Sequence, residues 1–140
     1  MSFGSVIFPV SSQELPRNNQ TKISQCNQII EITNEALSNV KSINNNDNTS
    51  QDKAMLRVAN FMDKAAVELE KISVTDKTLK GSQAGFIKMY KDTSQATRNF
   101  VTAYNNRNRP ESESAIQALQ AATSSEKQLV ADINTYCSKP

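Results

Sequence analysis

The sequence predicts an all-α fold, specifically an antiparallel four-helix bundle with up-down-up-down topology. The 140 residues contain three glycines and four prolines, too few turn-forming residues to connect many short strands. Apolar residues recur at three- and four-residue steps, which is the period of an amphipathic helix. Four segments show this pattern, and they cover residues 18–44, 50–72, 76–105 and 110–137. Because the polar connections between them are short, consecutive helices are expected to be antiparallel.

The first two predicted helices follow an irregular arm, residues 1–17, and open a single domain over residues 18–140. The apolar stripe of the first helix consists of Ile23, Cys26, Ile30, Leu37 and Val40. At the start of the second helix, Thr49 and Asp52 fit a capping box, in which each side chain accepts from the other's free backbone N–H. The stripe of this helix consists of Met55, Val58, Ala59, Met62, Ala65, Ala66 and Leu69.

The last two predicted helices also carry start signals. Thr75 and Asp76 offer a capping oxygen and a favourable negative charge to the third helix, and Pro110 suits the first turn of the fourth. The stripe of the third helix consists of Leu79, Phe86, Tyr90, Thr93, Thr97, Phe100 and Tyr104. The stripe of the fourth consists of Ala115, Ile116, Leu119, Ala122, Leu129, Val130, Ile133 and Cys137.

The composition argues against several classes of function. The chain has no histidine, which is the commonest general base and metal ligand, so we predict no enzyme, no metal and no cofactor. A net charge of +2 and the absence of tryptophan argue against a nucleic-acid partner. No apolar run approaches the roughly 18 residues of a membrane helix. The short run Val6–Val10 lacks a preceding basic region, so it does not fit a signal peptide.

The two cysteines lie near the start of the first helix and at the end of the last. In the predicted topology these places share one end of the bundle, and both Cys26 and Cys137 are on inward stripes. A disulfide between them would indicate an oxidising, extracytoplasmic compartment such as the periplasm. Two buried thiols that only fill space would instead suit the cytoplasm.

Glu126 interrupts the inward stripe of the fourth helix near its centre. Four polar residues of the first and third helices are predicted to share a layer with it, namely Thr33, Tyr90, Thr93 and Thr97. Three interpretations remain open: a pocket for a cation or small ligand, a polar layer that fixes helix register, and a helix bend that turns Glu126 to solvent.

A basic face lies opposite the aromatic stripe of the third helix and consists of Lys77, Lys80, Lys88, Lys91 and Arg98. It suits an acidic protein partner or peripheral contact with anionic lipid, although a solvated face has the same pattern. The first hypothesis is therefore a non-enzymatic interaction or sensor-like module that binds an unknown protein partner. The second is a small-ligand binder around Glu126. A monomer is favoured, although a helix-swapped dimer would satisfy the same pattern.

Two stretches resemble a helical family of cyanobacterial proteins of unknown function. The first runs from Val74 to Gly81 and continues through Phe86, Tyr90 and residues 94–98, and the second comprises residues 121–126 with Tyr136 and Cys137. The resemblance implies a helical bundle and no particular chemistry. It also implies a protein that is exported or membrane-anchored, although this sequence shows no obvious anchor.

Overall fold

The computed structural model describes residues 17–44 and 50–139, with side chains from 21–43 and 50–139. Its described part contains helices and no strand, in the order α1 (Arg17–Asn44), α2 (Gln51–Glu70), α3 (Lys77–Asn105), α4 (Arg109–Thr123) and α5 (Glu126–Cys137). Helices α4 and α5 follow each other as one interrupted rod, so the prediction of an all-α four-helix bundle is confirmed. Most of the predicted arm, residues 1–16, lies outside the described residues.

Side chains cap the starts of two helices, α3 and α4. The Asp76 carboxylate accepts from the Leu79 amide at 2.9 Å, and the Asn108 side chain accepts from the Glu111 amide at 3.2 Å. The predicted start of the second helix needs a correction, because Ser50 is the N-cap of α2 and Thr49 lies outside the described residues.

Packing differs between the two halves of the interrupted rod. Helix α5 packs against both α1 and α3, whereas α4 packs against α3. Accordingly Val130, Ile133 and Cys137 of α5 are buried, as predicted. In α4 the prediction holds for Ala115, but Ile116 is 41% exposed, so that part of the inward stripe is wrong.

Helix α1 is too short to cover the far end of α3. The Gln25 side chain of α1 contacts Thr75 and Asp76 at the start of α3, and the two helices run parallel. At the rise of an α-helix, α1 therefore ends about ten residues, or roughly 15 Å, before α3 does. This shortfall explains why Tyr104, expected to face inward, is 66% exposed.

Candidate functional site

Of the two interpretations of the cysteine pair, the structure bears out the disulfide. Cys26 of α1 and Cys137 of α5 are bonded, with Cα atoms 6.0 Å apart, and both residues are buried. The bond closes one end of the bundle by joining the first helix to the last.

Buried Gln25, next to the disulfide, ties α1 to the start of α3. Its Nε2 donates to Thr75 Oγ1 at 2.8 Å, and its Oε1 accepts from the backbone amides of Thr75 and Asp76, each at 3.1 Å. One glutamine side chain thus satisfies two free amides at a helix start, which otherwise lack intrahelical partners.

Tyr136 completes this end of the bundle from α5. Its hydroxyl donates to Asp76 Oδ2 at 2.6 Å, and the Lys22 ammonium lies 4.1 Å from its ring centroid. Burial alone would raise the pKa of Asp76, but hydrogen bonds from Tyr136 and the Leu79 amide lower it. The bond to Asp76 raises the pKa of Tyr136. These polar groups satisfy one another, which is the arrangement expected of a structural element.

Glu126 lies where the fourth rod is interrupted. Helix α4 ends at Thr123, whose Oγ1 donates to the Leu119 carbonyl at 3.0 Å, a contact that bends helices. Glu126 is the first residue of α5 and is partly buried. Burial raises its pKa to about 7. Burial, and secondly the Glu126 charge, raise the pKa of Tyr90 on α3. The fourth rod is therefore interrupted where the third interpretation placed a bend, but Glu126 is not released fully to solvent.

The other members of the predicted polar layer are not level with one another. Gln25 of α1 is level with Thr75 and Asp76 at the start of α3. Thr33 is therefore nearer the disulfide end of the bundle than Thr93 by about nine residues, or roughly 14 Å. The Thr33 hydroxyl donates to the Ile30 carbonyl of its own helix at 2.9 Å. Thr93 and Thr97 are fully buried, and neither hydroxyl has a hydrogen-bond partner within the described parts of the chain. The expected single layer is therefore wrong, because its members are spread along the axis.

We expect Thr93→Val and Thr97→Val each to raise the free energy of unfolding by about 1 kcal/mol, because each removes a buried hydroxyl that lacks a partner. Urea denaturation measures the change. Thr33→Val is the matched control, since it removes a hydroxyl that is bonded, and it should be neutral or destabilising. A destabilised Thr93 or Thr97 variant would mean that its hydroxyl is bonded in solution.

The basic face of α3 is largely engaged within the protein. Arg98 pairs with Asp63 of α2 at 2.6 Å, and Lys91 pairs with Glu70 of α2. Lys88 pairs with Asp92 one turn along its own helix. Lys77 and Lys80 are exposed, and neither makes an ion pair with the described residues. Three of the five side chains of this face are thus in ion pairs, two of them with α2.

A different surface lies at the end of the bundle opposite the disulfide. We call it the hairpin tip and define it by Phe100, Tyr104, Arg107 and Arg109, where α3 turns into α4. The rings of Phe100 and Tyr104 stack with centroids 5.9 Å apart. An open cleft of about 540 Å³ is lined by Tyr104, Asn105, Arg107, Arg109 and Ser112. One signal for it was present in the sequence, the turn at 105–110 with three asparagines and two arginines.

The described residues form neither a metal site nor a membrane span. Within that part of the chain, no three His, Cys, Asp or Glu side chains cluster as a metal site would require. No helix found there is both long and apolar enough to cross a membrane.

Comparison with known proteins identifies no relative. No protein-family model matches the chain, and no curated protein or solved structure matches it significantly. The resemblance to a cyanobacterial helical family therefore stays a prediction, and function must be argued from the molecule itself.

Proposed function

We propose that this chain is a non-enzymatic interaction module that binds a protein partner through the hairpin tip. The observation that carries the proposal is the exposed Tyr104 ring, stacked on Phe100 beside two arginines. Tyrosine and arginine are enriched in protein interfaces, where they dominate binding energy. The stack also holds the Tyr104 ring against a neighbour, which lowers the entropy lost on binding.

The hairpin tip supports this role better than the basic face of α3. A partner that engaged Lys91 or Arg98 would have to displace Glu70 or Asp63 of α2, which already pair with them. At the hairpin tip, Arg109 pairs only with Glu113 of its own helix, and both side chains are largely exposed. Exposed pairs of that kind contribute little, so a partner can replace them easily.

The proposed working place is an oxidising compartment outside the cytoplasm. A disulfide that joins the two ends of the described domain is the feature that supports it. Buried thiols in a reducing cytosol would leave this end of the bundle held by the hydrogen bonds of Gln25 and Tyr136 and by apolar packing.

The alternative, a small-ligand or cation binder around Glu126, has one supporting observation. Thr93 and Thr97 carry buried hydroxyls without partners among the described residues. They lie one and two turns beyond Tyr90 on α3, however, while the charge of Glu126 acts on Tyr90. A compact ligand would have to span that distance inside a packed core, so we favour the interaction module.

Site-specific photo-crosslinking tests the proposed function. A benzophenone amino acid in place of Tyr104 is expected to form one discrete adduct with a partner protein in the cells that make the chain. The matched control places the same group at Val67, which is 47% exposed on α2 and far from the hairpin tip. An adduct of the same mass and yield at both positions, or none at Tyr104, would contradict the proposal.

A further inference from the structure

We propose that the cleft at the hairpin tip is a carboxylate-binding site, and that the partner presents an acidic peptide segment to it. This inference rests on the proposed function and adds the chemistry of the partner. The five lining residues supply guanidinium, amide and hydroxyl donors. None of these described lining residues is acidic, so the cleft presents positive charge and donors to whatever enters it.

Arg107 carries the strongest argument. It has φ 53°, the single described non-glycine residue with a positive φ. It follows the C-cap Asn106, and its amide donates to the Tyr104 carbonyl at 3.1 Å. Helices commonly end with glycine in this left-handed conformation, because a β-carbon there is strained. An arginine at such a position sacrifices stability, which points to a use for its side chain.

The Arg107 side chain is also available. Within the described parts of the chain it makes no ion pair. Arg109 contacts Glu113 at 3.3 Å with its own side chain 90% exposed, so it can turn toward a ligand. Two guanidinium groups beside an aromatic ring suit carboxylates well, since each can donate two parallel hydrogen bonds to one carboxylate.

An acidic peptide fits this cleft better than a nucleic acid does. Nucleic-acid affinity needs many cations along a surface, and the cleft has two in a chain of net charge +2. A peptide can place one carboxylate between the arginines and an apolar or aromatic side chain on the Tyr104 ring. The cleft is also within the size range of small binding pockets.

Fluorescence anisotropy with the full-length, disulfide-intact chain tests the inference. The probe is a fluorescein-labelled octapeptide of alternating glutamate and tyrosine, and its lysine–tyrosine counterpart serves as the negative probe. We expect the acidic probe to bind in the micromolar range, with Arg107→Gln weakening it about tenfold. Arg107→Lys should recover only part of the loss, because an ammonium lacks the planar donor fork.

Lys80→Gln is the matched control, since it removes one exposed positive charge at the other end of α3. It should change affinity less than about twofold. Arg107→Gly should weaken binding while raising Tm by about 3 °C, because glycine relieves the left-handed strain. A loss of affinity together with a rise in Tm would identify Arg107 as a binding residue, because a residue that supports the fold would lower both.

Three outcomes would overturn the inference. One is an equal loss of affinity for the acidic probe in Lys80→Gln and Arg107→Gln, which would show that the probe is attracted by net charge alone. Another is no binding of the acidic probe at concentrations up to about 1 mM, because a weaker affinity than that is negligible for specific recognition. The third is displacement of the acidic probe by inorganic phosphate at the same concentration as the probe, which would assign the cleft to phosphate. If the Tyr104 crosslink still forms in any of these cases, the interaction surface stands and only the carboxylate chemistry fails.

Discussion

Replacing Cys26 and Cys137 with alanine lowers the free energy of unfolding by about 3–5 kcal/mol, the largest effect expected of any single contact here. The bond joins residues 111 positions apart, so it closes nearly the whole domain into one loop. Without it the unfolded chain gains the entropy of that open loop, while the native packing of α1 and α5 loses only the two buried sulfur atoms. The stability lost with the bond grows only slowly with loop length, so even this long loop accounts for no more than about 5 kcal/mol.

Urea denaturation of the parent and the double variant, each with and without reductant, measures this effect. The parent should lose stability when reduced, and the variant should not respond to reductant. Intact mass of non-reduced protein checks the bond itself, since oxidation removes about 2 Da per pair of thiols. A helix-swapped dimer would instead run at twice the chain mass until reduced. Parent stability that reductant does not change would contradict the prediction.

The disulfide could be anticipated because Cys26 lies in the first half of α1 and Cys137 is the last residue of α5. Antiparallel order places the start of the first helix and the end of the last at the same end of the bundle. The clamps around the disulfide were not predictable, although Gln25 and Tyr136 directly precede Cys26 and Cys137. Their partners Thr75 and Asp76 lie 50 to 60 residues away, and only the tertiary arrangement shows which polar side chains meet.

Burial was predicted wrongly where it depended on register. Periodicity shows which side of a helix is apolar, but it does not show how far neighbouring helices extend past one another. Tyr104 follows the stripe of α3 faithfully and is nevertheless exposed, because α1 ends before reaching its level. The ion pairs of Lys91 and Arg98 have the same origin, since Glu70 and Asp63 are on another helix.

Glu126→Gln should stabilise the protein at pH 8 and leave it nearly unchanged at pH 4. Burial raises the pKa of Glu126 from 4.5 to about 7, so the folded state holds this proton more tightly than the unfolded state does. The protonated carboxyl contributes fully to the free energy of unfolding below pH 4.5, and this contribution is lost as the pH rises through 7. Glutamine stays neutral throughout, so the variant avoids that loss.

The size of the effect is limited by the position of Glu126. The full shift corresponds to roughly 3 kcal/mol at 1.36 kcal/mol per pKa unit. Glu126 is partly exposed, and the first turn of α5 favours its negative charge by about 0.3–1 kcal/mol. We therefore expect a gain of about 1–2 kcal/mol at pH 8.

The measurement is the difference in unfolding free energy between variant and parent at several pH values from 4 to 8. Taking the difference matters, because the lowered pKa of Asp76 acts in the opposite direction and is common to both proteins. Glu113→Gln, at an exposed position of α4, is the matched control. A difference for Glu126→Gln that does not change with pH would show that its carboxylate is well solvated. The bend after Thr123 would then turn Glu126 fully to solvent, and the ligand-binding alternative would lose its one acidic group.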